Sequence, residues 1–193
     1  LYTKMGMALK ERGLMLYMCE WGIHDPWKWG AETGATCWRM TYDHRDGWWG
    51  TYFTSGNFKD VNDGGIGVHN TIGLMRNLWP YVGINRYNDA DMICVGIRGS
   101  GTASSDYVYN QPNGLTSDEA ETSFAMWCMW SSPILLGFDM TRDMSSTELA
   151  HDLALVKNQE LIAINQDPMG QGAEFIKNEN GIDYYQKDLA NGD

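Results

Sequence analysis

Short apolar runs alternate with longer segments of helical pattern along most of the chain. Residues 14–18 form a continuous apolar run, as expected of a strand that is buried on both faces of a parallel sheet. Further strands are predicted over 38–41, 91–95 and 133–138. Helices are predicted over 2–12, over 65–79, and after the capping-box sequences 116–119 and 145–148. Four strand–helix units predict an α/β fold with a parallel sheet.

The pattern changes near residue 173. Two strand-like segments flank Asn180 and Gly181, a residue pair typical of a two-residue β-hairpin turn. We therefore predict that residues 1–172 form an α/β domain and that 173–193 begin a separate antiparallel β domain, which the chain does not complete. The chain opens with Leu1 instead of an initiator methionine, so we expect it to be part of a longer protein.

Composition narrows the possible functions. The 193 residues carry a formal net charge of -11, which argues against nucleic acid as a partner. No apolar stretch is long enough to span a membrane. The 4 cysteines lack paired CxxC spacing and the 4 histidines are scattered, so we predict neither a metal nor a cofactor. The 9 tryptophans and 10 tyrosines suit a carbohydrate-binding surface as well as a packed core.

Charged and aromatic residues follow the first two predicted strands. Glu20 and Trp21 come directly after the first strand, and Arg39 and Asp43 accompany the second. Because the carboxyl ends of the strands form the catalytic face of α/β barrels, these side chains are candidates for a functional site. Sugar hydrolysis requires such a set: an acid that protonates the leaving oxygen, aromatic faces, and a charged fork for hydroxyl groups.

Four motifs follow one another along the chain. They are Met18-Cys19-Glu20-Trp21-Gly22, Cys37-Trp38-Arg39-Met40-Thr41-Tyr42-Asp43, Tyr87-Asn88-Asp89-Ala90-Asp91-Met92 and Ile162-Ala163-Ile164-Asn165-Gln166-Asp167-Pro168. Together they resemble the catalytic domain of glycoside hydrolase family 27, the α-galactosidases and α-N-acetylgalactosaminidases. The resemblance implies the second half of a (β/α)8 TIM barrel, followed by the start of an antiparallel β-sandwich domain. It also implies a retaining hydrolase that removes terminal α-linked D-galactose from oligosaccharides or glycoconjugates.

The resemblance implies one catalytic residue in this chain. The family's acid/base follows the pattern Trp-Arg-x-x-x-Asp, which Trp38, Arg39 and Asp43 match. Asp43 and Asp46 could each be solvated loop acids, but the position after the arginine favours Asp43 as acid/base. The family's nucleophile lies in an Asp-x-Cys context on the preceding strand, and no such motif precedes Cys19. We therefore expect the isolated chain to be inactive.

The resemblance also implies the residues that bind the sugar. They are Glu20, Trp21, Ile23, Arg39, Asp91 and Met92. Arg39 lies at the sugar 2-position in the family, and Ala90 replaces the proline of the family's Asp-Pro-Asp-Met segment. Trp21 suits sugar stacking and core packing equally. Glu20 and Ile23 occupy the positions that contact the 2-substituent, and both are large, so they leave room for a hydroxyl and favour galactose over N-acetylgalactosamine.

Cys19 matches a family position that forms a disulfide with the cysteine beside the nucleophile, so its partner would lie upstream of the chain. A disulfide suits a secreted, periplasmic or lysosomal protein. The implied partners are an α-galactosyl-terminated saccharide and the N-terminal half of the barrel. An α-N-acetylgalactosaminidase, a β-L-arabinopyranosidase of the same fold and a non-catalytic sugar-binding homologue remain as alternatives.

Overall fold

The computed structural model describes residues 1–49, 66–99 and 114–193. Its helices are α1 Tyr2–Lys10, α2 Pro26–Trp29, α3 Val68–Met75, α4 Ser117–Met129, α5 Thr147–Val156 and α6 Gln159–Asn165, with 3-10 turns at Gly30–Thr33 and Trp79–Tyr81. Its strands are β1 Leu16–Met18, β2 Ala35–Arg39, β3 Tyr87–Asp89, β4 Glu174–Glu179 and β5 Ile182–Gln186. Over these described ranges, no helix has the length and apolar character needed to cross a membrane.

The first three strands form a parallel sheet in the order β1-β2-β3. Met18 lies opposite Trp38, and Trp38 lies opposite Asn88. This layer faces the helices, where Trp38 is fully buried and its indole donates a hydrogen bond to Asn88 Oδ1 at 2.8 Å. Successive side chains along a strand alternate between faces, so Tyr17 and Asp89 lie on the opposite face together with the inner residues of β2. The polar side chains of Tyr17, Arg39 and Asp89 therefore lie on that opposite face.

The strand predicted over 91–95 is misplaced, because the chain pairs with β2 through Tyr87–Asp89 instead. Asp91 adopts a left-handed backbone with φ 77°, which ends the extended segment. Ile93 then forms one parallel bridge with Leu136, and only this contact represents the strand predicted over 133–138. Residues 93–95 are apolar because they are buried in the core beneath the helices. A buried turn and a buried strand have the same apolar composition, so the sequence pattern does not distinguish them.

The helices largely agree with the prediction, with shifted ends. The helix predicted over 65–79 is Val68–Met75, and its first residue, Gly65, lies outside the described residues. Thr116 and Glu119 form the predicted capping box of α4. The second box is shifted, because Ser146 is the N-cap of α5 and accepts from the amide of Leu149. Helix α4 packs Phe124 and Trp127 into the core, where both are fully buried.

The predicted hairpin is confirmed. Strands β4 and β5 pair antiparallel, and Asn180 and Gly181 both have positive φ, as a two-residue type I′ turn requires. The segment after β5 contacts the α/β part through Lys187, whose ammonium donates to the carbonyl of Ile164 at 2.6 Å and to Ser131 Oγ at 2.8 Å. The chain is thus a partial α/β fold with a small antiparallel sheet.

Candidate active site

Arg39 organises a cluster of charged residues at the carboxyl end of the parallel sheet. It is the last residue of β2, and its side chain is buried against the sheet. Its Nη2 donates to Asp91 Oδ2 at 2.8 Å, to Asp43 Oδ1 at 3.3 Å and to the carbonyl of Thr41 at 3.2 Å. Arg39 therefore joins the segment after β2 to the segment after β3.

Asp91 is fixed from several directions. Its Oδ2 also accepts the amide of His44 at 2.6 Å, and its Oδ1 accepts the amide of Met92 at 2.7 Å. Its carbonyl accepts the indole N–H of Trp127 at 2.7 Å. A left-handed backbone is costly for an aspartate and persists only where the surroundings hold it, as they do here. Helix α4 therefore helps to hold the backbone of Asp91 in place.

The charges of this pair reinforce each other. Burial lowers the pKa of Arg39, but the carboxylates of Asp91 and Asp89 outweigh it and raise that pKa above its ordinary value. Burial raises the pKa of Asp91, and the guanidinium together with two amide hydrogen bonds opposes this rise. Arg39 is 8% exposed and Asp91 is 7% exposed, so the ion pair is shielded from water and from salt.

Asp43 differs from Asp91 in its access to solvent. Its side chain is 52% exposed, whereas that of Arg39 beside it is 10% exposed. The backbone carbonyl of Asp43 accepts the amide of Ile66 at 3.1 Å, which anchors the segment after β2. An exposed carboxyl group beside a buried guanidinium can reach a bound substrate while its position stays defined.

Glu20 forms a separate hydrogen-bonded group. Its Oε1 accepts the hydroxyl of Tyr2 at 2.5 Å, and its Oε2 lies 2.9 Å from His24 Nδ1. Burial raises the pKa of Glu20, but the contacts with Tyr2 and His24 outweigh it, so the pKa is lowered and the carboxylate stays ionised. The structure thus assigns Glu20 two protein partners that the sequence pattern does not indicate.

Trp21 and Ile23 pack against the same small apolar cluster. Both are partly buried against Tyr42 and Ile66, and the ring of Trp21 lies 5.3 Å from that of Tyr42. The residue between them, Gly22, has φ 73° and donates its amide to the carbonyl of Arg39 at 3.1 Å. A Cβ atom at Gly22 would collide with the carbonyl oxygen of Met40, so only glycine lets this loop approach β2.

Met92 borders the cluster from the other side. It is half-buried and packs near Gly137, where a Cβ atom would lie 2.9 Å from the Met92 sulfur. The structure therefore brings Arg39, Asp43, Asp91 and the Met92 backbone into direct contact. It places Glu20 and the Trp21–Ile23 pair in two adjoining groups of their own.

The sequence interpretation left Tyr17, Asp89 and His44 out of the site. The hydroxyl of Tyr17 donates to Asp89 Oδ2 across the intervening strand. His44 is buried, and its Nδ1 lies 3.2 Å from the Cys94 sulfur. Burial, with contributions from Arg39, lowers the pKa of His44 to about 3, so its ring is neutral. Strand alternation places Tyr17 and Asp89 on one face, but the register that brings them together is seen only in the structure.

The cysteines divide into one exposed and three buried residues. Cys19 is exposed and follows β1, whereas Cys37, Cys94 and Cys128 are buried free thiols. An exposed Cys19 is available for a disulfide with another segment, and the disulfide itself remains a prediction.

These features together are typical of a sugar-processing enzyme of the α/β barrel class: a parallel sheet, a buried guanidinium at its carboxyl end and a carboxyl group open to solvent. Comparison with known proteins makes the similarity specific. No protein-family model matches the sequence. An α-galactosidase from Cyamopsis tetragonoloba is 31% identical over 191 residues, which are 98% of this chain and 37% of that protein.

Two solved structures are similar to the chain. A candidate α-galactosidase from Bacteroides fragilis is 34% identical with a TM-score of 0.79, covering 99% of this chain and 36% of the other. The α-galactosidase from Saccharomyces cerevisiae, solved with raffinose, is 25% identical with a TM-score of 0.72, covering 99% and 41%. The chain spans only about two fifths of the curated relatives that it matches. It is a relative of α-galactosidases, as its motifs predict.

Proposed function

We propose that this chain supplies the acid/base side of the active site of a retaining α-galactosidase. Asp43 acts as the acid/base, and Arg39 and Asp91 form the charged fork that binds the sugar hydroxyls. The observation that carries the proposal is the Arg39 guanidinium, which joins an exposed carboxyl group to a buried one at the carboxyl end of a parallel sheet. The similarity to α-galactosidases over nearly the whole chain supports the same assignment.

A retaining mechanism divides the work between two carboxyl groups about 5–5.5 Å apart. Asp43 would protonate the departing glycosidic oxygen and later deprotonate the attacking water, which requires the solvent access that its side chain has. The nucleophile would come from a strand outside this chain, in the Asp-x-Cys context of the family. The Nε of Arg39 is a buried donor without a hydrogen-bond partner among the described residues, which fits a fork completed by other groups.

The proposed architecture follows from this division. Residues 1–172 would be the second half of a (β/α)8 barrel, and 173–193 the first hairpin of an antiparallel β-sandwich domain. Leu14, Met15 and Tyr17 on and beside the β1 edge are 57%, 76% and 44% exposed, as expected of a surface that the N-terminal half of the barrel would cover. Cys19 at the end of β1 would then pair with the cysteine next to the nucleophile, in an oxidising compartment.

The proposed substrate is a saccharide with a terminal α-linked D-galactose. Glu20 and Ile23 are the two large residues that favour a 2-hydroxyl over an N-acetyl group, and the pKa of Glu20 is lowered, so that it can accept a hydrogen bond. The raffinose complex of the yeast relative supports the substrate class. An α-N-acetylgalactosaminidase would need small residues at both positions.

The direct test uses what we call the completed protein: this chain placed between an N-terminal segment with the Asp-x-Cys strand and the remainder of the C-terminal β domain, both taken from the Cyamopsis tetragonoloba relative. Hydrolysis of 4-nitrophenyl α-D-galactopyranoside should exceed that of the α-N-acetylgalactosaminide and the β-galactoside. Asp43→Asn should slow the hydrolysis of substrates with poor leaving groups. The control Asp139→Asn should not, because it changes an exposed acid whose side chain accepts from Thr141. A folded completed protein that turns over no α-galactoside would refute the proposal.

A further inference from the structure

A polar pair lies on the inner face of the sheet, directly behind the Arg39–Asp91 contact. Tyr17 on β1 and Asp89 on β3 are separated by β2, and the tyrosine hydroxyl reaches across it to donate to Asp89 Oδ2. The other carboxyl oxygen of Asp89 accepts the amide of Asp91 at 2.9 Å. Asp89 is fully buried, and in the register of the sheet it lies opposite Arg39.

We infer that Tyr17 and Asp89 form a positioning pair, which holds Asp91 in the backbone conformation that lets its carboxylate bind Arg39. The inference rests on the proposed function, since the sugar-binding cluster is what the pair would position. Neither residue is among those that the family resemblance assigns to the sugar. Their role would be indirect, through the residue that contacts Arg39.

The pair would act on the backbone conformation of Asp91. A φ of 77° is unfavourable for an aspartate, and the amide that leads into this conformation is the one bound by Asp89. Releasing that amide would free Asp91 to relax toward an ordinary backbone conformation. Its carboxylate, now 2.8 Å from the Arg39 guanidinium, would then lose its fixed position.

The pair needs an ionised Asp89. A carboxylate can accept from the Tyr17 hydroxyl and the Asp91 amide at once, one bond on each oxygen. A protonated Asp89 carries a hydrogen on one oxygen, so one of the two contacts must be given up or reversed. The charge of Asp89 is therefore linked to the geometry of the cluster.

The surroundings make this charge sensitive to pH. Burial raises the pKa of Asp89 to about 6, while Tyr17, the Asp91 amide and Arg39 oppose the rise and the Asp91 carboxylate adds to it. From β2, the Cys37 thiol also faces Asp89, and its own pKa is raised by burial and by that carboxylate. Removing the Tyr17 hydroxyl should therefore raise the pKa of Asp89 further.

The test compares matched tyrosine variants in the completed protein. Tyr17→Phe removes the hydroxyl that binds Asp89, whereas Tyr87→Phe makes the same change on the same sheet face, two residues before Asp89. The measurement is kcat/KM for 4-nitrophenyl α-D-galactopyranoside from about pH 4 to 8. Tyr17→Phe should lower kcat/KM about tenfold near neutral pH and move the acidic limb of the profile to higher pH. Tyr87→Phe should change neither.

Asp89 variants separate positioning from simple stability. Asp89→Asn keeps an acceptor for the Asp91 amide but cannot titrate, so the acidic limb contributed by Asp89 should disappear. Asp89→Ala should lose more activity than Asp89→Asn, and near-UV circular dichroism and thermal melting show whether each variant is folded. Folded Tyr17 and Asp89 variants with the wild-type profile would overturn the inference and leave the proposed function intact. A folded wild-type completed protein without turnover would instead overturn the proposed function, and the inference with it.

Discussion

The buried ion pair and the exposed ion pair of Arg39 predict stability losses of very different size for two equivalent substitutions. Asp91→Asn and Asp43→Asn each remove one negative charge that contacts the same Nη2 atom, at 2.8 Å and 3.3 Å respectively. The side chain of Asp91 is 11% exposed and that of Asp43 is 52% exposed. The two variants therefore differ mainly in burial.

Breaking a buried ion pair leaves an uncompensated charge, which costs about 3–5 kcal/mol, whereas an exposed pair contributes about 0–1 kcal/mol. The asparagine at position 91 keeps an amide oxygen for the backbone donors of His44 or Met92, so we expect about 3 kcal/mol for Asp91→Asn. Asp43→Asn should cost less than about 1 kcal/mol. A second substitution, Arg39→Met, should recover part of the Asp91→Asn loss, because it removes the unpaired charge.

The assay is urea unfolding of the completed protein, followed by tryptophan fluorescence, with the free energy of unfolding taken from the midpoint and slope. A near-equal loss in both variants, or a loss below about 1 kcal/mol for Asp91→Asn, would refute the claim that Arg39 and Asp91 form the buried anchor of the site. Failure of Arg39→Met to recover any stability would show that the cost arises from packing instead of charge.

Three further predictions concern leaving groups, specificity and pH. Asp43→Asn should reduce hydrolysis of natural galactosides far more than that of activated aryl galactosides, because an activated aryl group departs with little protonation. Equal losses in kcat on the two kinds of substrate would contradict the acid role. Replacing Glu20 by Ser and Ile23 by Ala together should raise activity on α-N-acetylgalactosaminides. It should lower kcat/KM on α-galactosides, by ~1.5–3 kcal/mol in transition-state free energy. Unchanged kinetics on both substrates would show that these side chains do not line the pocket. The pKa of His44 is lowered to about 3 by burial. The unfolded state therefore binds a proton that the folded state does not, and stability should fall by up to about 1.4 kcal/mol per pH unit as pH drops from about 6.5 to 3. His44→Gln should lack this contribution in urea titrations at several pH values, and an unchanged difference across pH would contradict a neutral buried ring.

The sequence predicted which charged residues lie together better than it predicted the contacts that hold them, and their roles stay a prediction. Arg39, Asp43 and Asp91 lie in motifs of fixed spacing, and the structure brings the three together. The contact of Glu20 with Tyr2 was not predictable from local pattern, because Tyr2 lies 18 residues away on helix α1. Likewise, Tyr17 and Asp89 meet only because the strands pair in one particular register.

The third predicted strand is misplaced because its limits also depend on contacts that the local sequence does not reveal. Residues 91–95 are apolar after their first position, as a buried strand would be, but a buried turn has the same composition. Only the pairing of Tyr87–Asp89 with β2 and the left-handed backbone at Asp91 decide where the strand ends. The hairpin was predictable in detail because its turn chemistry is local to Asn180 and Gly181.

Azide rescue distinguishes whether Asp43 is the acid/base of a retaining α-galactosidase, as we propose. In Asp43→Ala of the completed protein, an activated aryl α-galactoside should still form the glycosyl-enzyme intermediate, whose release would be slow without a base. Azide needs no general base, so it should accelerate turnover and yield the α-configured galactosyl azide. No acceleration by azide, or a β-configured galactosyl azide, would show that Asp43 is not the acid/base.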